Sequence, residues 1–267
     1  DIDPETYNVD PGATRKKLAA TDADAILAVH LYGLPADVLT LRTIADEADV
    51  PLVEDAAQAH GAAVDGESVG TFGDAAAFSF YPTKNMTTGE GGMVLTPHQE
   101  VADRAASYIN HGRPSGDSPY AHTRVGHNLR MTSLAAAIGR VQLEKLPDWI
   151  DARRDNAEKL SAVLTDVPGI ETPTEPPDRR HAYHQYTVSV VDRDRFADHL
   201  AEAGVGSAVY YPTPIPDLAA YDGYHPSTPV ADEAAESVLS LPVHPGLSEN
   251  DLDRVVATVS DAAARRA

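Results

Sequence analysis

Val38, Leu41, Ile44, Ala45 and Ala48 recur at helical spacing, so residues 36–48 read as an amphipathic helix. Two strand-sized apolar runs flank it, AILAVHL at 25–31 and PLVE at 51–54. Strand, helix and strand in that order predict a parallel crossover and an α/β sheet. Two further runs, 75–80 and 92–96, are long enough to join the same sheet. An earlier helix opens on Asp10 and Pro11, a cap followed by a first-turn proline, and runs to about residue 20.

Beyond the sheet, residues 97–108 read as a helix, and 110–128 form an irregular stretch of a length that is usually functional or mobile. Ser133 is expected to cap a helix carrying Leu134, Ala137, Ile138, Val141 and Leu143, and Pro147 to open a longer one that bridges to a second domain. Strands are expected at 184–191 and 205–211, with a helix capped by Asp192 between them and a short helix at 230–239. The Pro/Tyr-rich segment 212–229 is expected to lie over the site. Ser248 and Asp251 form a capping box for a last helix with Leu252, Val255, Val256 and Val259 as its buried stripe. The expected division is a large domain over 1–146 and a bridging helix with a small carboxy-terminal α/β domain over 147–267.

The chemistry collects between residues 53 and 92. Lys84 lies between an apolar run and the Gly/Thr-rich TTGEGG turn, and Asp55 ends an earlier strand. Strand carboxyl ends are where ligands gather in such sheets. A lysine that bonds an aldehyde, paired with an acid that keeps a pyridine nitrogen protonated, is the equipment of a pyridoxal phosphate enzyme. Taken singly, each reads first as a surface lysine or a loop acid, and only the combination points to chemistry. By strand alternation Glu54 should face away from the site, while Ala57 lies on the Asp55 side. Phe78, Phe80 and Tyr81 are candidate apolar walls, although core packing is their ordinary role.

EDAAQAHGA, GDAAAFSFYPTKN and TTGEGGMV together resemble the signature of the DegT/DnrJ family of pyridoxal phosphate-dependent sugar aminotransferases. The resemblance continues through NHGR, GHNLRM, AAAIGRVQLEKL, VYYPTP and VLSLPVHPGLSENDL, and so covers nearly the whole chain. It implies an aspartate-aminotransferase-like fold, with a mixed, mostly parallel sheet in the large domain. It assigns the cofactor-bonding lysine to Lys84 and the acid facing the pyridine nitrogen to Asp55. It gives Gln58 to the ring's phenolic oxygen, Ser79 to the phosphate, and Asn128 to the phosphate of a partner subunit. A homodimer with shared active sites follows from that last assignment. His30, at a strand end, is a candidate for the cofactor's neighbourhood. Tyr211 and Arg130 are candidate substrate contacts, and Arg130 reads equally as a surface arginine. The implied reaction moves an amino group, typically from glutamate, to a nucleotide-linked keto-sugar for surface polysaccharide or glycan synthesis. A sugar dehydratase of the same fold is the enzymatic rival, but such members replace the lysine with histidine. A non-catalytic, regulatory relative is the other. The sequence departs from the family at Pro216, where many members carry histidine after the YP-x-P segment. The family's amino-terminal Gly-Thr turn and its ring-stacking aromatic also have no counterpart after Asp1, so residues 1–267 alone are expected to bind the cofactor weakly.

Composition narrows the alternatives. A formal charge of −20 argues against nucleic acid or an anionic membrane surface as partner. With only five lysines and abundant alanine, the chain reads as salt-adapted. Cysteine is absent, which removes disulfides, thiolate metal sites and a cysteine nucleophile. No signal peptide or bilayer-length apolar run is visible, and a cytoplasmic location is expected. His181 and His184 show an H-x-x-H spacing without a third ligand, so no metal is expected. Neither a dinucleotide fingerprint, a Walker loop nor a G-x-S-x-G elbow occurs.

Overall fold

The computed structural model describes residues 1–114, 120–224 and 226–264. Helix α1 (Pro11–Ala20) starts where Asp10 accepts from the Ala13 amide, as its cap chemistry predicts. Strand β1 (Ile26–Val29), helix α2 (Val38–Ala48) and strand β2 (Leu52–Asp55) follow as the crossover unit. After the short β3 (Ala63–Val64) and β4 (Glu67–Ser68), strands β5 (Ala75–Ser79) and β6 (Gly92–Leu95) complete a sheet of order β1-β2-β5-β6. The first three strands are parallel and β6 is antiparallel to β5. Val38, Leu41, Ile44 and Ala45 of α2 bury their stripe against Ile26, Ala28 and Leu52.

Helix α3 (Gln99–Ile109) leads to a turn-rich stretch, of which residues 115–119 lie outside the described residues. Helix α4 then runs unbroken from Ser133 to Leu164, through Pro147. Its cap is Thr132, which accepts from the Ala135 amide, and not Ser133. Pro147 opens no new helix. Its missing N–H and ring cost about 3 kcal/mol in an isolated helix interior, but burial on either side overrides that cost here. Leu146 and Ile150 pack with Ala56, Ala59 and Phe80, whereas Ala157, Leu160 and Leu164 enter the core of the carboxy-terminal unit. One helix therefore crosses residue 147, where the sequence placed a boundary.

That unit contains β7 (Ile170–Glu171), β8 (Arg179–Arg180), β9 (Tyr186–Val190), α5 (Arg193–Glu202), α6 (Pro229–Ser237), β10 (Val238–Leu241) and α7 (Glu249–Ala264). Its antiparallel sheet has the order β10-β9-β7, while β8 pairs back with β3. Two expectations fail here. The run VLSL ends no helix but forms the fully buried β10, because a short continuous apolar run has no period that separates strand from helix. Residues 205–211 are not a strand: only Ala208 pairs, with Ser240, and glycines at 204 and 206 with Pro212 leave the rest irregular. The expected capping box is present, with Asp251 accepting from the Ser248 amide at 2.9 Å and its hydroxyl at 2.7 Å.

Glu54 holds the sheet's inner face. It is fully buried and accepts from the amides of Gly70 (2.7 Å), Phe72 (2.8 Å) and Gly73 (2.6 Å). His30 Nε2 adds a fourth bond at 2.9 Å, and His30 Nδ1 accepts from the Ala36 amide. Since Nδ1 is an acceptor, the ring proton sits on Nε2 and is donated to Glu54. Burial alone would raise the Glu54 pKa, but the His30 and backbone hydrogen bonds outweigh it and lower the pKa. A lowered carboxyl contributes stability that is complete above the ordinary carboxylate range and is lost as pH falls through its folded value. Glu54→Gln, which turns an acceptor into an NH2 group facing donor N–H groups, should therefore cost about 1.5–3 kcal/mol near neutral pH. It should also flatten the acid limb of the stability profile. Denaturant melts of both proteins from pH 7 down to pH 3 check this; an unchanged midpoint at pH 7 would refute it.

Candidate active site

Asp55 and Ser79 reach the same region by strand alternation and register. Asp55 pairs with Ala77 across β2 and β5, and Ser79 lies two residues beyond Ala77, on the same face. That face is the more open one. Glu54 and Ala76 on the other side are fully buried or nearly so, while Asp55 and Ser79 are half-buried. The Asp55 carboxylate accepts from the Ala57 amide at 3.0 Å, which turns the chain away from the strand end. Ser79 Oγ accepts from the Tyr81 amide at 3.3 Å.

Lys84 sits on the turn that follows β5, where its amide bonds the Tyr81 carbonyl. The TTGEGG segment closes behind this turn: the Thr88 amide and the Thr87 hydroxyl both donate to the Phe80 carbonyl. In front, residues 182–185 cross the site. Asn85 Nδ2 donates to the Ala182 carbonyl, the Ala182 amide to the Gly33 carbonyl, and the Gln185 amide to the Tyr32 carbonyl. This crossing needs glycine at 33. Its φ is +95°, and a Cβ there would lie 2.9 Å from the His184 amide nitrogen and 3.1 Å from the Gln58 carbonyl.

A cavity of about 660 Å³ opens between Lys84 and the carboxy-terminal unit, with Gln58, Arg153, His184 and Tyr211 also on its wall. Gln58 bridges two elements there: its Oε1 accepts from the Tyr32 amide at 2.6 Å, and its Nε2 donates to the Tyr211 hydroxyl at 3.0 Å. The Tyr32 hydroxyl donates to the Tyr210 carbonyl, which ties the 207–211 segment to the site. Burial lowers the Lys84 pKa and the nearby Asp55 carboxylate raises it, with burial prevailing. Burial, Lys84 and Arg153 push His184 down to about 3, so its ring is neutral at ordinary pH.

The structure brings Lys84, Gln58 and Tyr211 to one cavity, with Asp55 close enough to act on the Lys84 charge. Ala57 and Ser79 lie on the Asp55 side of the sheet end. His30 is elsewhere: it is completely buried behind the sheet with Glu54, because the apolar cover of α2 closes over that strand end. Asn128 and Arg130 are exposed and lie away from the Lys84 cavity; Arg130 bonds the Asn110 side chain at 2.8 Å. Phe78 and Phe80 alternate with Ser79 and pack on His60 in the core, and Tyr81 is exposed. Two cavity residues and one residue behind the wall went unread in the sequence. Arg153 is a helix position without a motif and His184 was weighed only as a metal ligand. Tyr32, which bonds Gln58 and the Tyr210 carbonyl, depends on a left-handed turn (φ 58°) that no residue pattern announces. Among the described residues no group of three potential metal ligands occurs, and no helix is long and apolar enough to cross a membrane.

The profile of the DegT/DnrJ/EryC1/StrS aminotransferase family matches residues 1–260. The chain is 42% identical over 264 residues to the erythromycin biosynthesis sensory transduction protein EryC1 of Saccharopolyspora erythraea, covering 97% of this chain and 71% of that protein. It is 39% identical over 245 residues to the dTDP-3-amino-3,4,6-trideoxy-α-D-glucose transaminase of Streptomyces venezuelae, covering 90% of this chain and 64% of that one. A crystal structure of a DegT DnrJ EryC1 StrS aminotransferase from Brucella abortus superposes with a TM-score of 0.93 at 33% identity, over 98% of this chain and 72% of that chain.

The Lys84–Asp55 interaction has a measurable consequence. Removing the carboxylate removes the one influence that raises the Lys84 pKa, so Asp55→Asn should lower that pKa further. The pH dependence of Lys84 acylation, followed by peptide mapping, should move its midpoint to lower pH. A midpoint that stays in place or rises would show that Asp55 does not act on the amine.

Proposed function

The chain belongs to the DegT/DnrJ/EryC1/StrS aminotransferase family, and from that membership we propose that it transfers an amino group from an amino acid, glutamate in the first instance, to a nucleotide-linked keto-sugar. The observation that carries this reading is Lys84: of the five lysines it alone lines the cavity, half-buried, with its pKa lowered by burial and opposed by Asp55. The dTDP-sugar named for the Streptomyces relative supports the substrate class.

The residues present fit pyridoxal phosphate. Asp55 is a carboxylate at a strand end with one oxygen bonded only locally, Ser79 is a hydroxyl on the same face, and Gln58 offers an amide from the helical turn after β2. Asp55 would hold the ring nitrogen's proton, Ser79 would donate to the phosphate, and Gln58 would bond the phenolic oxygen. When bound, the cofactor supplies the aldehyde that carries the amino group between substrates and the ring that disperses negative charge. Lys84 Nζ, more readily deprotonated than a surface lysine, would hold the cofactor by its aldehyde and would serve as the base for the proton at the donor's α-carbon. His184, neutral beside it, adds no charge that would compete for an incoming anion.

A homodimer belongs to the same reading. Asn128 is exposed and outside the Lys84 cavity, as a residue serving a partner's site would be. Leu134, Val141 and Leu143 on the first half of α4 are more than half exposed, an apolar face that association would cover.

Borohydride reduction of the cofactor-loaded protein, followed by peptide mapping, should place the label on Lys84. Label on another lysine, or none in a chain that binds the cofactor, refutes the assignment. Asp55→Asn should keep part of its cofactor affinity and lose most turnover. An amide cannot hold the pyridinium charge, and each pKa unit corresponds to about 1.4 kcal/mol between protonation states. A coupled glutamate assay reads the loss; near-normal turnover would remove Asp55 from the role.

A further inference from the structure

Tyr32 lies behind the wall of the Lys84 cavity and holds three of the residues that form it. It is 6% exposed, on the single turn Leu31–Gly33 that follows β1. Each of its hydrogen-bonding groups goes to a different segment. The amide donates to Gln58 Oε1 at 2.6 Å, the carbonyl accepts from the Gln185 amide at 3.1 Å, and the hydroxyl donates to the Tyr210 carbonyl. Gln58, Gln185 and Tyr210 all line the cavity. The backbone that permits this has φ 58°, in the left-handed region that a bulky aromatic residue rarely adopts. Such a conformation persists only where its surroundings over-determine it, and such positions cluster at functional sites. Tyr7 meets the ring edge-on at 6.0 Å and helps to hold it. Burial raises the Tyr32 pKa, with Tyr7 and Tyr211 adding to the effect, so the hydroxyl stays a donor at ordinary pH.

These bonds set the direction of a chain of donors. A side-chain amide has a donor end and an acceptor end, and the Tyr32 N–H can be met only by the acceptor. Gln58 Nε2 is thereby turned toward Tyr211, whose hydroxyl oxygen lies 3.0 Å away. Nε2 has no lone pair to offer, so the Tyr211 oxygen accepts. That bond leaves the hydroxyl proton unused, and among the described residues the Tyr211 hydroxyl makes no other bond. Tyr211 is 52% exposed and lines the cavity, where an incoming molecule can take up that proton as a hydrogen bond. Tyr32 amide, Gln58 amide and Tyr211 hydroxyl thus donate in one direction, and each polarises the next.

We propose that Tyr32 is a positioning residue for the sugar: it holds Gln58 and the 210–211 segment so that the Tyr211 hydroxyl donates to an uncharged sugar oxygen in the Lys84 cavity. The proposal rests on the aminotransferase reading above and adds to it the group that reads the acceptor's sugar. A phenol is neutral and suits a hydroxyl or keto oxygen, whereas charged groups entering the same cavity have Lys84 to meet.

Tyr32→Phe tests this, because it keeps the ring and the backbone bonds and removes only the hydroxyl. Amide hydrogen exchange followed by mass spectrometry needs neither cofactor nor substrate. It should quicken over residues 207–211 in Tyr32→Phe and stay unchanged over β2. Titration calorimetry then takes dTDP-glucose and UDP-N-acetylglucosamine, each against its bare nucleoside diphosphate, so that the ratio isolates what the sugar adds. In Tyr32→Phe and in Tyr211→Phe that ratio should fall by about three- to tenfold, the worth of one neutral hydrogen bond. The bare nucleotides should stay within about twofold. Tyr32→Phe placed on Tyr211→Phe should remove nothing further, because Tyr32 acts through the hydroxyl already lost. Thermal melts check that each variant folds. A merely structural Tyr32 would give the same loss in both backgrounds, and that additivity overturns the proposal. So does unchanged exchange in Tyr32→Phe, or a wild type in which neither sugar adds affinity. A wild type that shows the coupling yet takes no amino group from glutamate onto the loaded cofactor leaves the positioning intact and refutes the aminotransferase reading instead.

Discussion

The Glu54 carboxylate is the constraint on which the rest depends. A fully buried anion must be satisfied by donors, and here three amides from one turn and a histidine from the neighbouring strand end converge on it. Those four bonds fix which face of β2 points inward. Because a strand alternates, fixing Glu54 inward fixes Asp55 outward, on the face where Ser79 also lies. The same bonds draw the 70–73 turn over the strand and thereby set where β5 begins. The orientation of the proposed cofactor acid is thus a by-product of a hydrogen-bond network on the opposite side of the sheet. His30 belongs to that network and not to the cavity, which explains both its position at a strand end and its complete burial.

Much of this was legible in the residues. The crossover unit, α2 with its stripe, the Asp10 cap and the Ser248–Asp251 box are all local patterns whose energetics act within a few residues. Glu54 and Asp55 were assigned to opposite faces by alternation alone. What escaped depends on contacts distant in sequence. Proline at 147 signals a break locally, but Leu146 and Ile150 are held by one core and Leu160 by another, and that packing outweighs the lost helical bond. VLSL became a strand because Thr187 and its neighbours lie beside it, which no period in a run of four residues can reveal. The cavity's identity depends on segments 32–33, 58, 153 and 182–185 meeting, and only Gln58 carried a recognisable motif.

Electrostatics in this molecule are partitioned. The exterior is heavily acidic, while the cavity wall carries Lys84, Arg153 and Arg254 against a single acid already engaged in a helix cap. A negative exterior lowers the general affinity for anions and leaves the cavity as the place where one gains most. Salt screens the outer charges far more than the buried Arg153, so ionic strength bears chiefly on the exterior.

Helix α4, at 32 residues, is about 48 Å long at 1.5 Å per residue, and it serves as structural wall for two cores at once. This has a consequence for how the protein can be recombined. A chimaera joined at residue 147 would cut a rod, not a hinge. One residue inserted or deleted at that joint rotates everything downstream by about 100°, since 3.6 residues make a turn. Leu160 and Leu164 would then leave their core and Arg153 would leave the cavity wall. Exchange between relatives therefore has to preserve helical phase through this segment, because one rigid helix carries residues of both cores.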